Sequence, residues 1–221
     1  MESSDKPKRP PVENGIMPTR VLLLRHAESA NPLVFHGAES DIELSERGRR
    51  QAAAIAPYVS AYTPHLLASS AMRRAVETAT PIATVCALPL RIEPDLHERR
   101  VGALSGTPTQ QREGVWRDTL RRWKRGDTSF APAGAESFDD IYRRVLPVWN
   151  RLTTEASGQT LVIVAHGIVC RVLLLSLLPG YTVADWSRIE TDNVALNELL
   201  HDGTSWSAVR LNDMPPQVAT I

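Results

Sequence analysis

Short apolar runs alternate with amphipathic segments of helical period along most of this chain. The apolar runs predict strands at residues 20–24, 66–69, 90–93 and 161–165. Apolar positions that recur every three or four residues predict helices at 45–62, 72–86, 137–152 and 167–178. Alternating strands and helices are typical of an α/β fold. We therefore predict a three-layer sandwich, with helices on both faces of a mostly parallel central sheet.

Three regions depart from this alternation. Residues 1–19 contain lysine, arginine and proline but no apolar stretch, which predicts a disordered tail before a single domain at 20–221. Residues 94–135 are rich in glycine and proline around a polar helix near 109–124, and we expect them to form an insertion that covers the site as a lid. Residues 194–211 predict a closing hairpin, whose apolar edge could pair two chains as a homodimer or be covered within one.

The composition excludes several classes of partner. The 221 residues are 43% hydrophobic and hold 25 basic and 25 acidic side chains, so net charge gives no drive toward nucleic acid or an anionic membrane. No apolar run approaches the roughly 18 residues that span a bilayer. We expect no contact with either.

Cysteine and histidine usage predicts neither a disulfide nor a metal centre. Cys86 and Cys170 lack CxxC spacing and are expected to be reduced thiols of a cytoplasmic protein. The six histidines include no pair with the tight spacing of metal ligands, so we expect neither a metal nor another cofactor.

Ionisable side chains follow the predicted strands, at the edge where α/β sheets bind ligands. Arg25 and His26 come after the first strand, Arg74 after the second, Glu98 after the third and His166 after 161–165. Neutral imidazole is a nucleophile toward phosphorus, and a guanidinium can hold phosphate oxygens in a fork. The pattern therefore favours a site for phosphoryl transfer.

Six short motifs, spread over residues 20 to 200, strengthen this interpretation. They are Arg25-His26-Ala27; Glu28-Ser29 with Asn31; Asp41 with Leu44, Ser45 and Gly48; Arg74-Ala75 with Thr78 and Ala79; Leu96 with Glu98, Gly102 and Gly106; and His166-Gly167. In this order they resemble the motifs of the histidine phosphatase superfamily, phosphoglycerate mutase-like branch. Several motifs in one order are far more specific than any single motif.

The resemblance implies a role for each catalytic residue. His26 would be the nucleophile that forms a phosphohistidine, with Arg25, Arg74 and His166 stabilising the phosphoryl dianion. Glu98 would protonate the leaving oxygen and then activate water.

The resemblance also suggests substrate-binding residues. These are Asn31, Gly37 beside His36 in the substrate loop, and Gly167 at a helix start. Three arginines next to the motifs, Arg73, Arg99 and Arg100, are expected at the surface.

Two departures from the mutases favour a phosphatase acting on a small phosphomonoester. Val101 stands where mutases carry a substrate-contacting tyrosine, and Thr109 stands where they carry a lysine. Two alternatives stay open. One is a cofactor-dependent phosphoglycerate mutase, in which the basic run 121–125 would hold a substrate carboxylate; the other is a non-catalytic signalling protein on the same fold.

Overall fold

One sheet of six strands lies at the centre of the computed structural model, which describes residues 17–110 and 113–221. The strands are β1 (Thr19–Arg25), β2 (Leu66–Ser70), β3 (Leu90–Glu93), β4 (Thr160–Ala165), β5 (Leu196–His201) and β6 (Trp206–Asp213). Their order across the sheet is β3-β2-β4-β1-β5-β6. The first four in this order are parallel, and β5 runs antiparallel to both β1 and β6. The predicted α/β fold with a mostly parallel sheet is confirmed.

Helices cover both faces of the sheet. They are α1 (Glu46–Ser60), α2 (Arg73–Cys86), α3 (Glu113–Lys124), α4 (Phe138–Glu155), α5 (Gly167–Leu177) and the short α6 (Pro216–Ala219). Helices α1 and α2 pack on one face, and α4 and α5 pack on the other. The predicted disordered tail lies outside the described residues as far as residue 16.

Alternation along β1 explains why the sheet lies between two hydrophobic cores. Val21 and Leu23 pack with α4 and α5, whereas Leu22 and Leu24 pack with α1 and α2. All four side chains are fully buried. Successive side chains of a strand point to opposite faces, and each fully buried side chain of this size contributes about 1.5–3 kcal/mol. The strand that ends at Arg25 is therefore firmly positioned from both sides.

Two serine caps fix where α1 and α4 begin. The Ser45 hydroxyl accepts a hydrogen bond from the Gly48 amide at 2.9 Å. Ser137 and Asp140 form a reciprocal capping box at the start of α4. Such caps are worth about 1 kcal/mol each.

The segment 94–135 contributes a side chain to the core, and its role as a lid remains a prediction. Of the predicted helix near 109–124, residues 109–110 form a turn, 111–112 lie outside the described residues, and α3 covers Glu113–Lys124. Its Trp123 is fully buried and packs edge-to-face against Phe138 of α4, at a ring distance of 5.9 Å, and against Trp186, at 5.5 Å. The aromatic contacts attach α3 to the rest of the domain.

The predicted hairpin forms from β5 and β6, which leaves β6 at the edge of the sheet. A homodimer through this edge remains a prediction. None of the helices among the described residues is long and apolar enough to cross a membrane.

Candidate active site

A cavity of about 430 Å³ opens at the edge of the sheet where β1 and β4 end. Five of the predicted site residues line it: Arg25, His26, Arg74, Glu98 and Gly167. They come from separate stretches of sequence, and the parallel strand order brings the chain ends that carry them to one place. The predicted clustering of ionisable groups at this edge is therefore seen in the structure.

The hydrogen bonds of His26 fix which ring nitrogen carries the proton. Nδ1 lies 2.6 Å from the carbonyl oxygen of Ala27, which can only accept, so Nδ1 must donate. Nε2 then carries the lone pair and accepts a hydrogen bond from Nε of Arg74 at 3.2 Å. The nitrogen that carries the lone pair, Nε2, is thus the one that contacts Arg74.

Burial keeps the His26 imidazole neutral. Desolvation lowers the pKa of His26 well below its ordinary value of 6.5, and the nearby positive charges of Arg74 and Arg25 lower it further. A neutral imidazole is the nucleophilic form. The environment of His26 therefore suits attack on an electrophile at neutral pH.

Arg74 is held rigidly in the floor of the site. Its side chain is only 1% exposed, and Nη1 donates to the carbonyl of Ser40 at 2.8 Å while Nη2 donates to that of Gly37 at 3.4 Å. Burial lowers the pKa of Arg74, partly offset by the negative charge of Glu98. Three donor directions are therefore fixed by backbone oxygens and by His26.

His166 packs beside His26 but does not line the cavity. Its ring lies 5.1 Å from that of His26, and its Nε2 is 2.8 Å from the hydroxyl of Ser70. Nδ1 is buried and has no hydrogen-bond partner among the described residues. Burial, followed by the charge of Arg74, lowers the pKa of His166 well below 6.5.

Glu98 is held by two backbone amides, one from the adjacent residue and one from the beginning of α5. Its Oε1 accepts from the amide of Arg99 at 2.8 Å, and its Oε2 accepts from that of Ile168 at 3.4 Å. The residue is 8% exposed and still lines the cavity. Its carboxyl group is thus fixed in orientation and open to a ligand.

Arg25 and Gly167 pack against each other at the end of β1. Nη1 of Arg25 donates to the carbonyl of Thr191 at 2.9 Å, whereas its Nε is buried without a partner among the described residues. A Cβ atom at position 167 would lie 3.4 Å from that Nε. Glycine at 167 therefore lets the guanidinium lie close to the start of α5.

Two predicted substrate-binding residues lie outside the cavity lining. Asn31 is exposed and adopts a φ of 52°, and its carbonyl accepts from Nε2 of His36 at 3.1 Å. Gly37 is buried against Val101, and its carbonyl holds Arg74. Contact of Asn31 or Gly37 with a substrate remains a prediction.

The motif around Ser45 and Gly48 packs against Glu28, which follows His26 by two residues. The Glu28 carboxylate accepts from the Ser45 hydroxyl at 2.7 Å and pairs with Arg47 at 3.0 Å. A Cβ atom on Gly48 would come within 2.0 Å of the carbonyl oxygen of Glu28. Residues next to His26 therefore pack directly on the first turn of α1.

Several cavity residues were not identified from sequence. They include Phe35, Trp116, Arg171, Glu190, Asp192 and Asn193. The Asn193 side chain donates to the carbonyl of His26 at 2.8 Å, so the segment before β5 helps to position His26. Arg171 follows Gly167 by four residues and so shares its helix face, which is a signal that the sequence contains.

The expected surface role of Arg99 is wrong. Arg73 and Arg100 are exposed, but Arg99 is only 1% exposed. Its guanidinium lies 5.0 Å from the ring centre of Trp116 and 5.1 Å from that of Trp123, and Nε donates to the carbonyl of Glu136 at 2.7 Å. Two aromatic faces and a carbonyl stabilise the charge in place of water.

Within the described part of the chain, no three His, Cys, Asp or Glu side chains are grouped so that they could hold a metal ion. The positive charges in the cavity come from Arg25, Arg74 and Arg171. An anionic ligand such as a phosphate matches this set of donors.

Comparison with known proteins agrees with the fold. The family model of the histidine phosphatase superfamily (branch 1) matches residues 21–214. A bifunctional protein of Mycobacterium tuberculosis is 33% identical over 197 residues, which cover 88% of this chain and 53% of that protein. The chain thus spans about half the length of the first curated relatives it matches.

Two further relatives match over more of their own length. Glucosyl-3-phosphoglycerate phosphatase of Mycolicibacterium vanbaalenii is 31% identical over 175 residues, 76% of this chain and 77% of that enzyme. The structure of a mycobacterial glucosyl-3-phosphoglycerate phosphatase with VO3 superimposes with a TM-score of 0.78 at 29% identity, covering 88% of this chain and 99% of the other. The chain belongs to the histidine phosphatase superfamily, branch 1.

Proposed function

We propose that this protein is a phosphatase that hydrolyses a small phosphomonoester through a phosphohistidine on His26. The observation that carries the proposal is the fixed tautomer of His26. The Ala27 carbonyl holds the proton on Nδ1, and the lone pair of Nε2 is directed to Arg74 inside the cavity. A nucleophile held in one tautomer next to a fixed cation is what phosphoryl transfer requires.

The first step forms the phosphohistidine. Nε2 of His26 attacks phosphorus, and the bond from phosphorus to the leaving oxygen breaks as Glu98 gives that oxygen a proton. Arg25 and Arg74 neutralise the charge on the remaining phosphoryl oxygens, and His166 assists from beside the nucleophile. Each such charge-assisted hydrogen bond is worth about 1.5–3 kcal/mol.

The second step returns the enzyme to its starting form. The Glu98 carboxylate takes a proton from water, the water oxygen attacks phosphorus, and the phosphorus–nitrogen bond breaks. His26 regains its lone pair, and inorganic phosphate leaves. One carboxyl group can serve both steps because it is fixed by two amides at the rim of the cavity.

The contacts of the basic run 121–125 favour hydrolysis over the mutase reaction. Arg121 pairs with Asp118, and Arg122 pairs with both Asp118 and Asp127 while stacking on Phe130. Neither arginine lines the cavity. Thr109, which stands in place of the mutase lysine, does line it and brings no charge. A mutase must bind a second phosphorylated ligand tightly, and both observations argue against such binding here.

A phosphatase assay with matched histidine variants tests the proposal. Wild-type protein should release phosphate from p-nitrophenyl phosphate in the presence of a metal chelator. His26→Ala should lower kcat by on the order of 10³-fold or more and abolish covalent labelling by a ³²P-phosphorylated substrate. His65→Ala is the control because His65 is exposed at the start of β2, at the opposite edge of the sheet.

Two results would contradict the proposal. If His26→Ala kept the turnover of His65→Ala, His26 would not be the nucleophile. If the wild-type protein bound p-nitrophenyl phosphate without turnover, the non-catalytic alternative would replace the phosphatase.

We also propose that the enzyme works in a reducing compartment, the cytoplasm. Cys86 and Cys170 are both free thiols, and Cys170 is buried in the core. Buried free cysteines are ordinary core residues where disulfides do not form.

A further inference from the structure

Arg171, on α5, lines the same cavity as His26. It follows Gly167 by one turn of α5, and Gly167 packs on the guanidinium of Arg25. Side chains four residues apart on a helix are neighbours, with Cβ atoms about 5–6 Å apart. Arg171 is therefore next to the phosphate-binding residues along one face of the helix.

The guanidinium of Arg171 is held in place before any ligand binds. Its Nε donates to the carbonyl of Ile189 at 2.7 Å, and its central carbon lies 5.0 Å from the ring centre of Trp186. Trp186 is itself buried in the aromatic cluster with Trp116 and Trp123. A pre-positioned guanidinium loses little side-chain entropy when it binds an anion.

The positive charge of Arg171 has no carboxylate partner. None of the three cavity arginines, Arg25, Arg74 and Arg171, forms an ion pair within 4.0 Å among residues 17–110 and 113–221. By contrast, Arg144 pairs with Glu136 at 2.7 Å, and the buried Arg99 is stabilised by two aromatic rings and a carbonyl. In the proposed function, Arg25 and Arg74 bind the phosphoryl group. Arg171 is a third cation in the cavity without an ion pair, and the phosphoryl group of the proposed mechanism leaves it without an anionic partner.

We propose that Arg171 binds a carboxylate carried by the same substrate molecule, so that the preferred substrates are phosphomonoesters of small hydroxy acids. The inference deepens the proposed phosphatase function and rests on it. A planar guanidinium pairs with a carboxylate through two parallel hydrogen bonds. A short carbon chain bridges the separation of one helical turn between the phosphate and Arg171.

Glu190 explains why one carboxylate fits better than a second phosphate. It is exposed, lines the cavity, and its negative charge acts on Arg171. One guanidinium facing a nearby carboxylate tolerates a single negative charge better than two. Glu190 thus sets the charge that the cavity accepts beside Arg171.

A pair of substrates that differ only at the proposed contact tests the inference. 3-Phosphoglycerate and glycerol 3-phosphate share the phosphate and the three-carbon chain, but only the first has a carboxylate. We define the carboxylate preference as the ratio of their kcat/KM values. Wild-type protein should prefer 3-phosphoglycerate, and Arg171→Gln should lower the ratio by about 10-fold or more. Glu190→Gln should raise the ratio.

Arg188→Gln is the matched control. Arg188 also places its guanidinium over an aromatic ring, that of Tyr181 at 5.0 Å, but pairs with Asp185 and does not line the cavity. Its carboxylate preference should equal that of the wild type. An unchanged ratio in Arg171→Gln, or a wild type without preference, would overturn the inference.

The same variants separate this inference from the proposed function. Loss of turnover of p-nitrophenyl phosphate, which has no carboxylate, reports on the phosphatase function alone. If the wild type proved inactive, calorimetry would give the ratio of binding constants for 3-phosphoglycerate and glycerol 3-phosphate. Arg171→Gln should lower that ratio as well, and equal binding ratios in wild type and variant would reject the carboxylate contact.

Discussion

Nε of Arg74 lies 3.2 Å from Nε2 of His26 and donates a hydrogen bond to it. Because the Ala27 carbonyl holds the proton of His26 on Nδ1, the arginine meets the nitrogen that keeps its lone pair. The same charge lowers the pKa of the imidazole, after the larger effect of burial. Arg74 thus contacts the imidazole of His26 directly and helps to keep it neutral.

Replacing Arg74 should shift the titration of His26. The pKa of His26 in the folded protein lies well below 6.5, so the imidazole is neutral at pH 7 and gains a proton only as the pH falls through that lower value. Arg74→Gln removes a positive charge and should raise the pKa, although burial should still hold it below 6.5. A histidine titration by NMR measures both. Arg73→Gln, on the exposed neighbour, should leave the titration unchanged; an equal shift in that control would contradict the contact.

Replacing Glu98 should affect substrates according to their leaving groups. Glu98→Gln keeps the shape of the side chain but cannot supply a proton to the leaving oxygen. The kcat for an alkyl phosphate should fall about 10²-fold or more, and the first step with p-nitrophenyl phosphate should fall much less. A pre-steady-state burst of p-nitrophenol would report that first step. If the rates with both substrates fell equally, Glu98 would not be the general acid.

Replacing Gly48 should destabilise the protein and disturb the site together. The Cβ of Gly48→Ala would lie 2.0 Å from the Glu28 carbonyl oxygen, which forces the backbone next to His26 to move. We expect a loss of about 1–3 kcal/mol or more in the free energy of unfolding, measured by urea denaturation. Gly114→Ala on α3 meets open space and should be neutral or slightly stabilising. Similar stabilities for the two variants would contradict the close packing.

Replacing Arg99 should weaken the attachment of α3. Arg99→Lys keeps the charge but cannot stack a planar guanidinium on Trp116 and Trp123. We expect a loss of about 2 kcal/mol in unfolding free energy and a higher KM, since Trp116 lines the cavity. Arg100→Lys, at the exposed adjacent position, should change stability by less than about 0.5 kcal/mol. If Arg99→Lys had the same KM as Arg100→Lys, the position of α3 would not affect substrate binding.

Much of the fold could be predicted because its signals are local. The apolar alternation in β1, the serine at the start of α1 and the helical period of α4 each depend on residues within a few positions of one another. The placement of Arg25, His26, Arg74 and Glu98 at one edge followed from the rule that parallel strands end together. The motif order then pointed to phosphoryl transfer.

The surroundings of the site depended on contacts between distant segments. Arg99 lies in a charged run that is typical of a surface loop, yet α3 and the chain near Glu136 bury it. Asn193 reaches the carbonyl of His26 across 167 positions of sequence. Hydrophobic periodicity does not indicate such contacts, because it reports only on residues within one helix or strand.

The sequence by itself therefore determined the strands, the helices and the chemical groups that meet at the sheet edge. Only the tertiary structure decided the tautomer of His26, the burial of Arg99 and the position of Arg171 in the cavity. These features arise when separate elements pack and exclude water, which sets each group's partners and the free energy of its charge.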